Sequence, residues 1–433
     1  MHDKDDIRAI DGGLGAVKGV QCAGISAGFR RNPNRKDMAV VCVPEGSTAA
    51  GVFTRNAFCA APVTLCREHL VWQREHDKYA RVIVLNSGNA NAATGCAGRG
   101  TANSTSRIAA DKFDCEPQQV LVASTGVIGV PLSTECFESG MPKAAGVLSP
   151  GDACDADIAA AHAAAEAIMT TDTHAKEAAV GFSVQTCGDV ASENMDGSIT
   201  YHVGGMAKGS GMIQPDMATM LSVIATDAPV SAEALDAALR EAVNVSFNKV
   251  TVDSDTSTND SVFILATGAA GGARIDAGTA TYEAFANALK AVCEDLARQI
   301  AADGEGATKL VTVYVQGAAN DADADKAARA VANSPLVKTA IAGHDANWGR
   351  IAMALGKSGA AFKQEDVDIE LMDMLVCEHG LSVEFDEDEA LRRFNERDEI
   401  VINARLGAGD SNARIWTCDL THEYITINGD YRT

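Results

Sequence analysis

A threonine hydroxyl is a weak nucleophile until a base stands beside it, and a chain's own α-amine, with a pKa near 8, can be that base. The stretch KGSGMIQPDMATML, residues 208–221, holds the parts for such chemistry. Breaking the Ala218–Thr219 bond would make Thr219 an N-terminal residue carrying both hydroxyl and amine. The break can be autocatalytic: the Thr219 hydroxyl attacks the Ala218 carbonyl, an ester forms, and water hydrolyses it. Gly209, Gly211 and Pro215 let the chain bend, and Ala218 is too small to block the attack. The same residues also suit a glycine-rich loop entering a buried strand, and spacing alone favours that plainer role.

Other stretches offer matching parts. In ASTGVIG, residues 123–129, the Thr125 hydroxyl and the Gly126 amide can form an oxyanion hole for a tetrahedral intermediate, or simply turn the chain after a strand. In DGEGATK, residues 303–309, the G-x-x-x-x-G-K-[ST] spacing of a phosphate loop is absent. Its Glu305, between two glycines at a helix end, can present a carboxylate to an ammonium group or occupy a solvated turn. TVDSDTSTND, residues 251–260, lacks the register of a calcium loop; local side-chain-to-backbone turns suit it better. His162, on an alanine-rich helix, reads as a packed or surface residue.

These groups need elements to position them. The first half reads as strands joined by glycine turns: AVVCV within 37–52, ARVIVL at 80–85 and QVLVA at 119–123. The latter two deliver the small polar loops NSGNANAATG and STGVIG, and strand ends of this kind are where α/β proteins place chemistry. Helices are expected over 153–169, with aspartates in the first turns, over 231–245 with Ser231 as cap, and over 282–302, 324–333 and 388–395. Strands are expected over 198–203, 222–226, 261–266 and 310–315, with a hairpin excursion at 185–197. The last hundred residues read as mostly strand, and the ending EYITINGDYRT as strand and turn.

At roughly 150 residues per domain, 433 residues suggest two or three domains, or two large intertwined ones; 46% are apolar, enough for a sizeable core. The net charge of −23, from 36 basic and 59 acidic residues, argues against nucleic-acid or anionic-membrane partners. Twelve cysteines without a CxxC pair read as reduced, mostly core residues of a cytoplasmic protein. His and Cys lack ligand spacing, so no metal is expected. The N-terminus is acidic and no apolar run reaches membrane-spanning length, so neither signal peptide nor transmembrane helix is expected.

Taken together and in order, KGSGMIQPDMATML, NSGNANAATG, ASTGVIGVPL, MTTDT, VDSDTSTNDS, DGEGATK, NSPLVKTAI, NWGRI and INGDYRT resemble the ornithine acetyltransferase family, the bifunctional glutamate N-acetyltransferases of arginine biosynthesis. The resemblance runs from about residue 10 to the last residue. It implies a layered α/β sandwich of mixed sheets with flanking helices, self-cleaved between Ala218 and Thr219. The products are an α chain (1–218) and a β chain (219–433), assembled as an α2β2 heterotetramer. It implies Thr219 as nucleophile, Thr125 and Gly126 as oxyanion hole, and Thr170 or Thr171, Lys208, Glu305, Asn428 and Thr433 as substrate contacts. The implied reaction moves acetyl from N2-acetyl-L-ornithine to L-glutamate with no bound cofactor or metal; bifunctional members also take acetyl from acetyl-CoA. Two features depart from the family: Asp216 stands where asparagine is usual, which implies slower or pH-dependent cutting, and the excursion between 173 and 208 is longer than in many relatives. A self-processing amidohydrolase or aminopeptidase, and an uncut inactive binding homologue, are the competing readings.

Overall fold

The computed structural model describes residues 7–185, 197–214 and 220–430, and in it the apolar runs pair into three mixed sheets. The first has the order β1 (Ile7–Ile10), β7 (Lys176–Gln185), β8 (Ser198–Lys208), β9 (Leu221–Thr226), β10 (Ser261–Ala266) and β4 (Thr48–Phe53). The second is β2 (Gln21–Ile25), β3 (Met38–Cys42), β5 (Val82–Asn89) and β6 (Val120–Val127). The third is β14 (Leu381–Ser382), β13 (Met374–Glu378), β12 (Asp368–Leu371), β15 (Glu399–Arg405), β11 (Leu310–Ala318) and β16 (Ser411–Cys418). Each sheet holds a parallel pair among antiparallel ones: β9–β10, β5–β6 and β11–β15.

Helices cover these sheets. α1 (Ala61–His76), α2 (Gly95–Phe113), α3 (Glu135–Gly146) and α4 (Asp155–Ile168) pack around the second sheet, and α4 also reaches β7 and β8 of the first. α5 (Ala232–Val245) and α6 (Ala280–Ala302) pack against the first sheet. α7 (Asp321–Ala332), α8 (Pro335–Ala342), α9 (Trp348–Gly356) and α10 (Glu387–Glu396) belong to the third unit. The first sheet is buried on both faces, which is why SVFILA is continuously apolar and not alternating. In β10, Phe263 and Leu265 enter one core while Val262, Ile264 and Ala266 enter another.

The layered α/β class is as expected, as are α4, α5 and α6; the Ser231 hydroxyl accepts from Ala234 N–H as the cap of α5. β7 and β8 pair with Gln185 opposite Ser198, the hairpin expected there, whose tip lies outside the described residues. Six of the described cysteines are buried and all are unpaired. Burial pushes the Cys66 thiol up to about 12, so it is inert core.

Three expectations are corrected. The first half is not strands alone, since α1, α2 and α3 lie within it; Pro62 at the start of α1 and the buried Val63, Cys66 and Leu70 at helical spacing were the legible sign. β5 and β6 run beyond their apolar cores to Asn89 and Val127, because parallel pairing continues through the polar residues. The last hundred residues are not mostly strand, since α8, α9, α10 and α11 (His422–Asp430) lie within them, and the ending itself is a helix none of whose residues is buried. The β-branched residues of EYITI lose to a tertiary anchor at the start of the helix. The Thr421 hydroxyl donates to Gly306 O at 2.7 Å and accepts from Glu423 N–H at the first turn.

Candidate active site

The end of β6, the turn after α4, the end of β8, the 251–260 loop, the turn after α6 and α11 converge on a pocket of about 190 Å3. Thr125, Gly126, Thr170, Thr171, Lys208, Glu305 and Asn428 all line it. Seven residues singled out from separate stretches thus meet in one place. Ala218, Thr219 and Thr433, with Asp216, lie outside the described residues. The chain on either side of 215–219 is nevertheless tied to the pocket. Gln214 N–H donates to the carbonyl of Asp255, a lining residue, at 2.8 Å, and Leu221 pairs across the sheet with Lys208.

Each predicted group has a definite setting. Lys208 is buried and donates to the Thr125 hydroxyl at 3.1 Å. Burial lowers its pKa, with Asp172 opposing that shift. Gly126 sits at φ +130° opposite Gly88 in the β5–β6 pair, where a Cβ would lie 2.4 Å from the Gly88 carbonyl carbon, so no other residue fits. Glu305 is buried; its carboxylate accepts from Asn428 Nδ2 at 2.6 Å and its N–H donates to Ser210 O at 3.0 Å. Gly211 lies directly against that carboxylate: a Cβ there would come within 2.4 Å of it.

Several lining and supporting residues carried no clear sign of their role in the sequence. Asp253 and Asp255 line the pocket. Asp253 Oδ2 accepts from Met212 N–H at 2.6 Å, and its Oδ1 accepts from Ile213 N–H at 2.8 Å. It thereby holds Met212 in the left-handed region, at φ 56°. Burial raises the Asp253 carboxyl pKa despite these bonds. Tyr424 Oη donates to Asp253 from α11 at 3.4 Å. Asn259 Nδ2 donates to Ala90 O and to Ser124 O, at 2.5 and 2.8 Å, fastening the ends of β5 and β6 to the 251–260 loop. The only signal for this group was the density of Asp, Ser, Thr and Asn in TVDSDTSTND.

The sequence profile of the ArgJ family matches residues 21–433. The chain belongs to the ArgJ family. The arginine biosynthesis bifunctional protein ArgJ of Symbiobacterium thermophilum is 48% identical over 425 residues, covering 98% of this chain and 99% of that one. The ArgJ of Nitrobacter winogradskyi is 45% identical, covering 97% and 96%. Among solved structures, ArgJ from Bacillus halodurans is 44% identical, with a TM-score of 0.46, over 47% of this chain and 96% of that one.

A larger groove, of about 490 Å3, lies between residues 10–13 and α4 and is lined by none of the predicted ArgJ site residues. His162, at its wall, is exposed and bonds Glu177 at 2.6 Å, a surface setting. Among the described residues no group of three or more His, Cys, Asp or Glu is arranged to hold a metal ion, and no helix is long and apolar enough to cross a membrane.

Proposed function

We propose that this chain is the acetyltransferase of arginine biosynthesis that moves acetyl from N2-acetyl-L-ornithine to L-glutamate, after cutting itself between Ala218 and Thr219. The observation that carries the reading is the convergence of Thr125, Gly126, Thr170, Thr171, Lys208, Glu305 and Asn428 on one pocket. The names and near-complete coverage of the ArgJ relatives support it.

The chemistry follows from the groups. The Thr219 hydroxyl attacks the acetyl carbonyl while its own α-amine takes the proton. The oxyanion is met by the Gly126 amide and the Thr125 hydroxyl. Because Thr125 oxygen accepts from Lys208, its own proton is kept for the oxyanion, and the ammonium polarises it further. The carbon–nitrogen bond breaks, the amine passes its proton to the departing ornithine nitrogen, and acetyl stays on Thr219 as an ester. The α-amine of glutamate then attacks that ester, and the same proton path runs in reverse.

Lys208 has two donors beyond the one given to Thr125, and these suit the α-carboxylate that both amino acids carry. Glu305, steadied by Asn428, suits the side-chain ammonium of ornithine. Thr170 or Thr171 and Thr433 complete the contacts. No bound cofactor is needed, acetyl-CoA is a second acetyl donor, the two pieces (1–218 and 219–433) assemble as α2β2, and the enzyme works in the cytoplasm. The test is the Thr219→Ala variant beside wild type. Wild type is expected to run as two bands of about half length on a denaturing gel, to carry acetyl on the Thr219 peptide by mass spectrometry, and to require glutamate. The variant should stay uncut and inactive. A full-length, fully active wild type would end the nucleophile assignment, and acetylornithine consumption independent of glutamate would point to a hydrolase.

A further inference from the structure

Three segments that line the pocket hang on one buried ammonium. Lys176, in β7, is fully buried; its Nζ donates to Asp172 Oδ1 at 2.6 Å and to Asp303 Oδ2 at 2.5 Å, and both carboxylates are buried too. Asp172 spends its other acceptor sites on main chain: Gly209 N–H at 2.7 Å, beside Lys208, and Thr170 N–H at 2.9 Å. Asp303 accepts from Thr173 N–H at 3.0 Å. The Asp303 carbonyl accepts from the Ser210 hydroxyl at 2.7 Å, and the Ser210 carbonyl from Glu305 N–H at 3.0 Å. The 170–173, 208–210 and 303–305 segments are therefore one hydrogen-bonded unit centred on Lys176. A buried ion pair costs about as much desolvation as it returns in attraction. What this one contributes is orientation, since each carboxylate also holds loop amides.

We infer that Lys176 is a positioning residue for acetyl transfer: it holds Asp172 and Asp303 side by side as carboxylates and so fixes Lys208 and Glu305 against each other across the two pieces of the cut chain. The inference rests on the reading of the pocket as an acetyl-transfer site. Asp172, Lys176 and Lys208 precede the proposed cut and Asp303 and Glu305 follow it, so the ammonium is an ionic tie between pieces no longer joined covalently.

The charges around it set the test. Asp172 faces Lys176 and Lys208; Asp303 faces Lys176 and, at 3.6 Å, His174; Lys208 faces Asp172, Lys176, Asp260 and Glu305. Burial pushes the Asp172 carboxyl up, but the two ammonium groups outweigh it and hold it well below the usual carboxylate range. Without Lys176, two acids are buried together and one must take up a proton on acidification.

The pH profile of kcat/KM therefore separates positioning from bulk stability. In Lys176→Met, kcat/KM for acetylornithine is expected to fall by roughly 10- to 100-fold, with a new acid limb at least about one unit above any in wild type. The charge-balanced Lys176→Met/Asp303→Asn variant should lose that new limb but keep a KM raised about tenfold, because the tie to 303–305 is still missing. An unshifted profile in the single variant overturns the inference, as does wild-type KM in the double variant, which decides the matter even where the single variant fails to fold. Absence of acetyl transfer by wild type would instead refute the reading of the pocket itself.

Discussion

Gly211 allows Glu305 to be tested without altering Glu305. A methyl group on Gly211 would lie 2.4 Å from the Glu305 carboxyl carbon and 2.4 and 2.5 Å from its oxygens, whereas ordinary contact begins at 3.4 Å. The obstacle is the end of a side chain, so the carboxylate yields before the backbone does; it must retreat by about 1 Å, judged from those separations. Retreat breaks the 2.6 Å bond from Asn428, and hydrogen bonds to charged groups are worth about 1.5–3 kcal/mol. A displacement of this size at a binding group lowers kcat/KM by roughly 10- to 100-fold, or about 1.4–2.7 kcal/mol. Gly211→Ala is therefore expected to impair acetylornithine use to that degree, measured as N-acetylglutamate formed at varied acetylornithine. Stability should fall by roughly 1–2 kcal/mol, since the lost bond exceeds the ~0.4–1 kcal/mol that Gly→Ala returns by restricting the unfolded chain. The decisive arm is the double variant. If the methyl acts only through the carboxylate, Gly211→Ala adds nothing in a Glu305→Ala background. Unchanged kinetics in the single variant, or a full additional loss in the double one, would refute the reasoning.

Two further outcomes follow from the same site. Asp253→Asn replaces one of two accepting oxygens with a donor, leaving Met212 or Ile213 N–H unpaired at a cost of about 1–3 kcal/mol. Since those amides lead into the 215–219 segment, conversion of precursor to two chains in a cell-free translation time course should slow at least about fivefold; a wild-type rate would exclude a part for Asp253 in cutting. Lys208 is charged below its pKa, which burial lowers from the ordinary 10.5. KM for glutamate should thus rise as pH climbs through a value below 10.5, and Lys208→Arg, whose guanidinium does not titrate there, should lack that alkaline limb.

The residues with local constraints were the legible ones. Thr125 and Gly126 follow the apolar core of β6, Ser231 precedes a helix, and Glu305 stands between glycines after one; each sign lies within a few residues of what it marks. α2 was missed because GCAGRGTANSTSRIAADKF is poor in helix formers. Its Ala102, Ala109 and Ala110 become a buried helical face once α1, α3 and the second sheet are there to receive them. The same tertiary rule governs α11. Its sequence prefers extended chain, and its anchor is Gly306, a residue more than a hundred positions earlier.

Lys176 is the sharpest case of what one sequence hides. In THAKEA it is one lysine among the chain's 36 basic residues, with no spacing that distinguishes it from a solvated one. It acquires meaning from Asp303, 127 positions away, because burying an ammonium is costly unless it is paired and hydrogen-bonded, and Asp303 with Asp172 supplies that pairing. The burial of an ammonium is therefore the structural observable that the sequence cannot carry. Once it is seen, the electrostatics follow with little freedom: two carboxylates need the cation, the cation needs both of them, and their remaining lone pairs order the loops that hold Lys208 and Glu305. A site assembled this way would keep its geometry without a covalent link between its halves, and that is what the proposed cut between Ala218 and Thr219 would require.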